Sequence, residues 1–337
     1  MTRDADDPFG RVTDAELRER FEAADYVADD RTVTTVHLAL RLERPLLIEG
    51  PPGSGKTELG KVLASAFDTE LIRLQCYEGL TAENALYEWN YTKQLLAVQA
   101  EEGRVGGANA AVDDADTGGS SPARDDSVFA EEYLLERPLL RALRTEGETP
   151  PVLLIDEIDR ADEEFEAFLL ELLSDFQVSI PELGTVSADR SPVVILTSNR
   201  TRGLSDALKR RCLYLNVQPP SFQTEYEIVR RKVPELDAAV AAEVCAVVAR
   251  LREEAFLKRP GVAETLDWAR AVAHLRHDPD GDDDGDSLTP AEIERTIGCL
   301  LKEVEDVDRV DTDLLEALRA AAADADPDPV AAERPAE

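Results

Sequence analysis

The feature that most constrains the fold is the glycine-rich octapeptide GPPGSGKT at residues 50–57, which follows the short apolar run PLLIE at residues 45–49. A short apolar run bounded by turn residues is typical of a buried parallel strand. Apolar residues recur at helical spacing after the octapeptide, at Leu59, Val62, Leu63, Ala66 and Phe67. The octapeptide matches the pattern G-x-x-x-x-G-K-[ST], and the order of strand, loop and helix is the context in which that pattern occurs. A chance glycine turn before a helix would explain the glycines but not the context.

Each residue type in the octapeptide suits the binding of nucleotide phosphates. Its glycines let the backbone wrap tightly, so that successive N–H groups point at the β-phosphate. Lys56 is predicted to meet the β- and γ-phosphates, and Thr57 to offer its hydroxyl to Mg²⁺. The predicted nucleotide-binding residues are Gly50, Pro51, Pro52, Gly53, Ser54, Gly55, Lys56 and Thr57.

Two further apolar runs end in polar residues. Residues 152–157 read VLLIDE, and a parallel sheet binds ligands at the carboxyl ends of its strands. Asp156 is predicted to hold Mg²⁺ through water, and Glu157 to polarise the attacking water as a general base. Residues 193–199 read VVILTSN, and the amide of Asn199 can fix that water or touch the γ-phosphate. Taken alone, acids at a strand end suit a solvent-facing surface, and Asn is an ordinary turn residue.

Three consecutive cations, Lys209, Arg210 and Arg211, stand out in a chain whose formal net charge is −34. One explanation is a helix C-terminus, where positive side chains are favourable. The other is an arginine finger that reaches the γ-phosphate held by a neighbouring subunit and stabilises transition-state charge. From the residues alone, both explanations stay open.

The surplus of acidic residues bears on the class of partner. The 71 Asp and Glu residues against 37 Lys and Arg argue against a general electrostatic grip on nucleic acid, although a local basic groove stays possible. An acid-rich, lysine-poor composition is similar to that of halophilic proteins; a very soluble acidic protein is the alternative. A hydrophobic content of 43% excludes a wholly disordered acidic chain.

Cysteine spacing, the first residues and hydropathy all bear on location. The four cysteines are far apart and form no CxxC pair, so they predict neither a zinc site nor a disulfide scaffold, and reduced thiols suit a cytosolic protein. Residues 1–10 contain no apolar signal-peptide core. No apolar run approaches the roughly 18–20 residues that cross a bilayer. We therefore predict a cytoplasmic protein with no membrane span.

The predicted fold class is α/β, with a parallel sheet followed by a small all-helical domain, because alternating strands and helices stop near residue 218. The predicted divisions are an N-terminal helical lead-in at 1–36, a nucleotide-binding core at 37–218, a helical domain at 219–322 and a disordered acidic tail at 323–337. The lead-in is predicted to begin exposed and to continue into a short helix, with Leu17, Phe21 and Ala24 at helical spacing. Within the core, residues 103–127 are rich in Gly, Ala, Asp and Ser and predict a disordered insertion.

The order of phosphate loop, Asp-Glu strand, Asn strand, Arg-Arg turn and helical lid resembles that of AAA+ ATPases over about residues 37–320. More closely, DEIDRA at residues 156–161 is similar to the D-E-I-[ND]-R-A stretch of the MoxR group. GVAETLDWAR at residues 261–270 is similar to the lid of the branch that includes the carbon monoxide dehydrogenase maturation ATPase.

The resemblance implies a P-loop AAA+ αβα core that hydrolyses ATP with Mg²⁺, in a hexameric ring that binds ATP between subunits. Arg211 would be the finger, with Arg210 the second candidate. Family members remodel or mature client proteins, often with a partner that carries a von Willebrand factor A domain, and some help insert metal cofactors. The segment 78–137 falls where these proteins carry an insertion that can face the ring pore.

One departure from the family pattern concerns the lid. Many AAA+ lids carry an arginine early in the third lid helix that senses the γ-phosphate, and the matching position here is Ala263. Arg270 lies two turns further along and is the candidate to substitute for it.

Two other functions stay open. The first is a nucleic-acid motor or a clamp-loader-like switch, because Arg210-Arg211-Cys212 resembles the Ser-Arg-Cys motif of clamp loaders. The net charge argues against nucleic acid as a partner. The second is a nucleotide-gated scaffold with little hydrolysis, against which the intact pair of Asp156 and Glu157 argues.

Overall fold

A computed structural model describes residues 8–96, 133–180, 184–276 and 287–326 of the chain. Its strands are β1 Leu46–Glu49, β2 Leu71–Gln75, β3 Tyr87–Trp89, β4 Leu134–Glu136, β5 Val152–Asp156, β6 Gln177–Ile180, β7 Gly184–Ser187, β8 Val193–Ser198 and β9 Leu213–Asn216. Five of them form one parallel sheet in the order β2-β5-β8-β1-β9. Two short antiparallel pairs, β3 with β4 and β6 with β7, accompany it.

The helices precede, alternate with and follow these strands. They are α1 Pro8–Arg11, α2 Asp14–Ala23, α3 Asp30–Arg41, α4 Lys56–Ala66, α5 Ala82–Leu86, α6 Pro138–Arg144, α7 Glu163–Asp175, α8 Asp206–Arg211, α9 Phe222–Lys232, α10 Ala238–Glu253, α11 Val262–Arg276, α12 Pro290–Thr296, α13 Val304–Val307 and α14 Thr312–Ala323. Residues 91–96 are also helical. Within the described ranges, no helix is long and apolar enough to cross a membrane.

The sheet is covered on both faces, which explains why its central strands are apolar throughout. Every residue of β1, β5 and β8 is buried. Alternate residues of β5 divide between two hydrophobic clusters: Leu153 and Ile155 pack with α6 and α7, whereas Val152 and Leu154 pack with α1 to α4. Side chains that alternate between two covered faces are typical of a parallel sheet between helical layers. The predicted α/β class is confirmed.

The predicted N-terminal helix is present as α2, but Phe9 and Val12, which precede it, are buried and not exposed as predicted. Phe9, Leu17 and Phe21 are fully buried in the cluster on one face of the sheet. Helix α3 also runs across the predicted boundary between residues 36 and 37. Local capping holds these helices in place: Thr13 and Glu16 form a capping box at the start of α2, and the side chain of Asp29 caps α3. The N-terminal helices are therefore part of the core.

The chain becomes entirely helical after β9, within the residues that the structure describes. Helices α9 to α12 and α14 enclose a hydrophobic cluster of their own, around the fully buried Trp268. The indole N–H of Trp268 donates a 2.7 Å hydrogen bond to Thr296 Oγ1 and so satisfies its one donor. The predicted insertion at 103–127 lies outside the described residues, as does all of the predicted tail beyond residue 326.

Candidate nucleotide site

The glycine-rich loop joins β1 to α4 with the backbone that its sequence requires. Gly53 and Gly55 have φ angles of 75° and 84°, in the left-handed region that glycine occupies without strain. Helix α4 begins at Lys56, whose side chain is buried and whose Nζ donates to the carbonyl oxygens of Gly50 at 2.9 Å and Pro51 at 2.7 Å. Burial lowers the pKa of Lys56, while the nearby carboxylates, chiefly Asp156, act to raise it.

The two residues predicted to hold Mg²⁺ are in direct contact. The hydroxyl of Thr57 donates to Asp156 Oδ1 over 3.1 Å, and the Asp156 side chain is buried. The hydroxyl of Thr197, on β8, also donates to this carboxylate. An alcohol and a carboxylate at this spacing are the hard oxygen ligands that suit Mg²⁺. The donor set therefore fits the predicted metal.

Arg73 is a contact of this carboxylate that the sequence analysis missed. It lies on β2, and its Nε donates to Asp156 Oδ2 over 3.1 Å. Its Nη2 also lies 2.7 Å from Gln75 Oε1. Gln75 in turn donates from Nε2 to Glu157 Oε2 over 3.0 Å. Side chains of β2 thus contact both acids at the end of β5, because the two strands are paired with Gln75 opposite Asp156.

Glu157 is held at the end of β5 by contacts from three directions. Its backbone is left-handed, with φ of 56°, and its N–H donates to Thr197 Oγ1 over 2.9 Å. Besides Gln75, the carboxylate accepts a 3.1 Å hydrogen bond from Arg160 Nη1. The predicted base therefore lies beside the predicted Mg²⁺ ligand, with its position set by partners on β2 and β8.

Asn199 follows β8 at the same edge of the sheet. Its backbone N–H donates to Asp159 Oδ1 over 3.1 Å, and Thr201 donates to Asp159 Oδ2 from its N–H at 2.9 Å and its hydroxyl at 2.6 Å. Burial of Asp159 acts to raise the pKa of its carboxyl, but these hydrogen bonds bring the pKa below its usual value. Asp159, which the sequence analysis did not single out, fixes the loop that carries Asn199.

The predicted finger residues end helix α8. Both Arg210 and Arg211 are exposed, and their backbone carbonyls accept hydrogen bonds from the guanidinium of Arg44. Arg211 Nε donates to Ser174 Oγ over 3.1 Å. This placement agrees with the helix-end explanation for the three cations, and the role of a finger toward a second subunit stays a prediction.

The helical domain reaches the phosphate loop through the first residue of α11. The N–H of Val262 donates to the carbonyl oxygen of Gly53 over 3.1 Å. Ala263 is the next residue of the helix. Arg270, predicted as the substitute sensor, is half exposed and pairs with Asp267 Oδ1 at 3.3 Å on its own helix. Its proposed sensing of the γ-phosphate stays a prediction.

Comparison with known proteins places these features in a family. The ATPase family associated with various cellular activities (AAA) matches residues 46–218, more than half of the chain and the whole span from β1 to β9. Among solved structures, one mutant of Thermotoga maritima RuvB is 15% identical, with 91% of this chain and 69% of that chain covered and a TM-score of 0.42. A second RuvB mutant is 17% identical, with 95% and 85% covered and a TM-score of 0.45.

A search of curated protein sequences finds no match. The matched range contains the phosphate loop and both polar strand ends. The chain belongs to the AAA family of ATPases.

Proposed function

We propose that this ATPase is of the MoxR type and uses Mg²⁺ and ATP to remodel or mature client proteins. The observation that carries the proposal is the arrangement of the segment DEIDRA at residues 156–161. Asp156 contacts Thr57 at 3.1 Å, and Asp159 binds the backbone of Asn199 at 3.1 Å. Glu157 stands between them. One short segment thus supplies a metal ligand, a base and the anchor of the loop that follows the neighbouring strand β8.

The chemistry assigned to these residues is hydrolysis of the terminal phosphate. Lys56 and the loop amides bind the phosphates, while Thr57 and Asp156 hold Mg²⁺, which neutralises phosphate charge when it is bound. Glu157 accepts a proton from the water that attacks the γ-phosphorus, so that ADP and phosphate leave. Gln75 has to release the Glu157 carboxylate, or share it, for that water to be bound.

The assembly and the partners belong to the same proposal. Arg211, with Arg210 as the second candidate, is exposed at the end of α8 and so accessible to a neighbouring copy in a hexameric ring. A client protein and a partner with a von Willebrand factor A domain would act with the ring, and maturation of a metalloenzyme is the pathway that the branch suggests. All four cysteines are free thiols, which supports a cytoplasmic location.

The variant Glu157→Gln tests this function. Removing the base lowers the rate of ATP hydrolysis by at least about a hundredfold while ATP binding persists. The trapped complex is purified in molar KCl, which screens the surface charge, and its mass is measured by light scattering. We expect a ring that retains a client or a partner protein. Turnover at the rate of the unmodified protein would remove Glu157 from its role. ATPase stimulation by DNA, with no protein retained, would favour the nucleic-acid motor instead.

A further inference from the structure

At Gly53, the backbone of the phosphate loop is in close contact with the backbone of the helical domain. A Cβ built on Gly53 would lie 3.0 Å from the Cα of Gly261. A Cβ built on Gly261 would lie 2.9 Å from the Cα of Gly53 and 3.1 Å from its carbonyl oxygen. Because the nearest atom met is a backbone atom in both cases, no side-chain rotation can make room for a methyl group. The contact therefore requires glycine at both positions. Gly53 also has a positive φ, whereas Gly261 requires glycine only for lack of space.

This approach allows a hydrogen bond that orients one peptide unit of the loop. Val262 donates its N–H to the carbonyl oxygen of Gly53 over 3.1 Å. That carbonyl and the N–H of Ser54 belong to the same planar, trans peptide group, so they point in opposite directions. Fixing the carbonyl toward the helical domain therefore fixes the Ser54 N–H away from it. Ser54 is one of the loop residues whose N–H groups the motif uses for phosphate.

A buried polar cluster holds Gly261 in place from the far side. Thr265 Oγ1 lies 3.0 Å from the Gly261 carbonyl oxygen and 2.6 Å from Glu225 Oε1, and both Thr265 and Glu225 are buried. The guanidinium of Arg252 binds both oxygens of Glu225 and donates from Nε to the carbonyl of Pro260 over 2.8 Å. A bidentate pair of this kind adds geometric definition to charge attraction.

The side chain of Glu264 completes the turn before α11. Its Oε2 accepts a 3.0 Å hydrogen bond from the Gly261 N–H, and its Oε1 lies 3.8 Å from Lys258 Nζ. The Glu264 carboxylate, paired with Lys258, therefore lies beside the loop, and a Cβ built on Gly53 would lie 3.5 Å from its Oε2. Contact between this domain and the loop is made by the backbone.

We propose that Gly261 is a positioning residue for ATP binding: it lets Val262 hold the Gly53–Ser54 peptide in the orientation in which the Ser54 N–H meets phosphate. The cluster of Glu225, Arg252 and Thr265 keeps Gly261 at the required distance. This inference rests on ATP binding by the AAA site and not on the remodelling of clients.

The test is Gly261→Ala in the full chain, with Gly298→Ala as the matched control. A Cβ on Gly298, in the same helical domain, meets nothing within 4 Å. Binding of a fluorescent ATP analogue and steady-state hydrolysis are measured for both. We expect Kd and KM to rise about tenfold in Gly261→Ala, because the displaced loop binds phosphate less tightly, with kcat within about twofold of the unmodified protein. We expect Gly298→Ala to keep the Kd and KM of the unmodified protein.

A rise in KM without a change in kcat distinguishes a positioning role from a packing role. A packing defect would lower the unfolding midpoint and leave KM and kcat unchanged. Unchanged Kd in a folded Gly261→Ala, or an equal rise in Gly298→Ala, would overturn the proposal. If Gly261→Ala does not fold, Glu264→Ala is the test, and we expect its Kd to rise about threefold. Unchanged ATP affinity in Glu264→Ala would also overturn the proposal. Lys56→Ala, which removes the phosphate contact itself, verifies that the measured site is the loop.

Discussion

The conformation of Glu157 is set by contacts with residues from distant parts of the chain. Its left-handed backbone costs about 1–2 kcal/mol for a residue with a side chain, and the hydrogen bond from its N–H to Thr197 helps to hold that conformation. Lys56, Thr57 and Asp156 could be predicted because each belongs to a local motif. Arg73 and Gln75 could not, because their contact with the two acids depends on β2 lying next to β5, which no local pattern specifies.

Thiol reactivity is a residue-scale test of the packing. Burial raises the pKa of Cys76 and Cys212 to about 12 and also raises that of Cys245. At pH 8 these thiols are therefore protonated and enclosed, and the thiolate is the reactive form. Only Cys299 is partly exposed. We expect one fast-reacting thiol per chain with a water-soluble disulfide reagent, lost in Cys299→Ser, and four after denaturation. Two or more fast thiols in the folded protein would contradict this packing.

At the scale of elements, the strands were predictable and the N-terminal helices were not. β1, β5 and β8 are short apolar runs that end in polar residues, and such runs indicate buried strands wherever they pack. Helix α2 carries its few apolar residues among many charges, so the sequence indicates a short helix but not the surface it covers. Phe21 packs beneath the sheet and against Tyr26, with ring centroids 5.6 Å apart.

Phe21→Ala tests whether these helices belong to the core. Removing a fully buried aromatic ring leaves a cavity, and we expect the free energy of unfolding to fall by about 3–5 kcal/mol in urea titrations. Glu22→Ala changes the adjacent, exposed position of the same helix and serves as the control, with an expected change within about 0.5 kcal/mol. A loss below about 1 kcal/mol for Phe21→Ala would mean that α2 is only loosely attached.

Charge is the property that acts on the whole molecule. The chain of 337 residues has a net charge of −34, so its acidic groups repel one another, and this repulsion opposes the compact state. Raising KCl from 0.1 M to 1 M shortens the screening length from about 10 Å to about 3 Å. We expect the thermal midpoint to rise over this range and to level off above it. Sucrose, which stabilises without screening, is the comparison. A midpoint that falls with KCl, or is indifferent to it, would show that the acidic surface does not limit stability.

The phosphate loop is touched by the helical domain and its connection at two places. A Cβ on Gly50 would lie 2.2 Å from the carbonyl oxygen of Val217, where the chain leaves β9 for that domain, and Gly53 meets Gly261 as described above. Neither contact leaves room for a side chain, so a change in the orientation of the helical domain cannot be absorbed there by side-chain rotation. Such a change is transmitted to the backbone of the loop that binds phosphate.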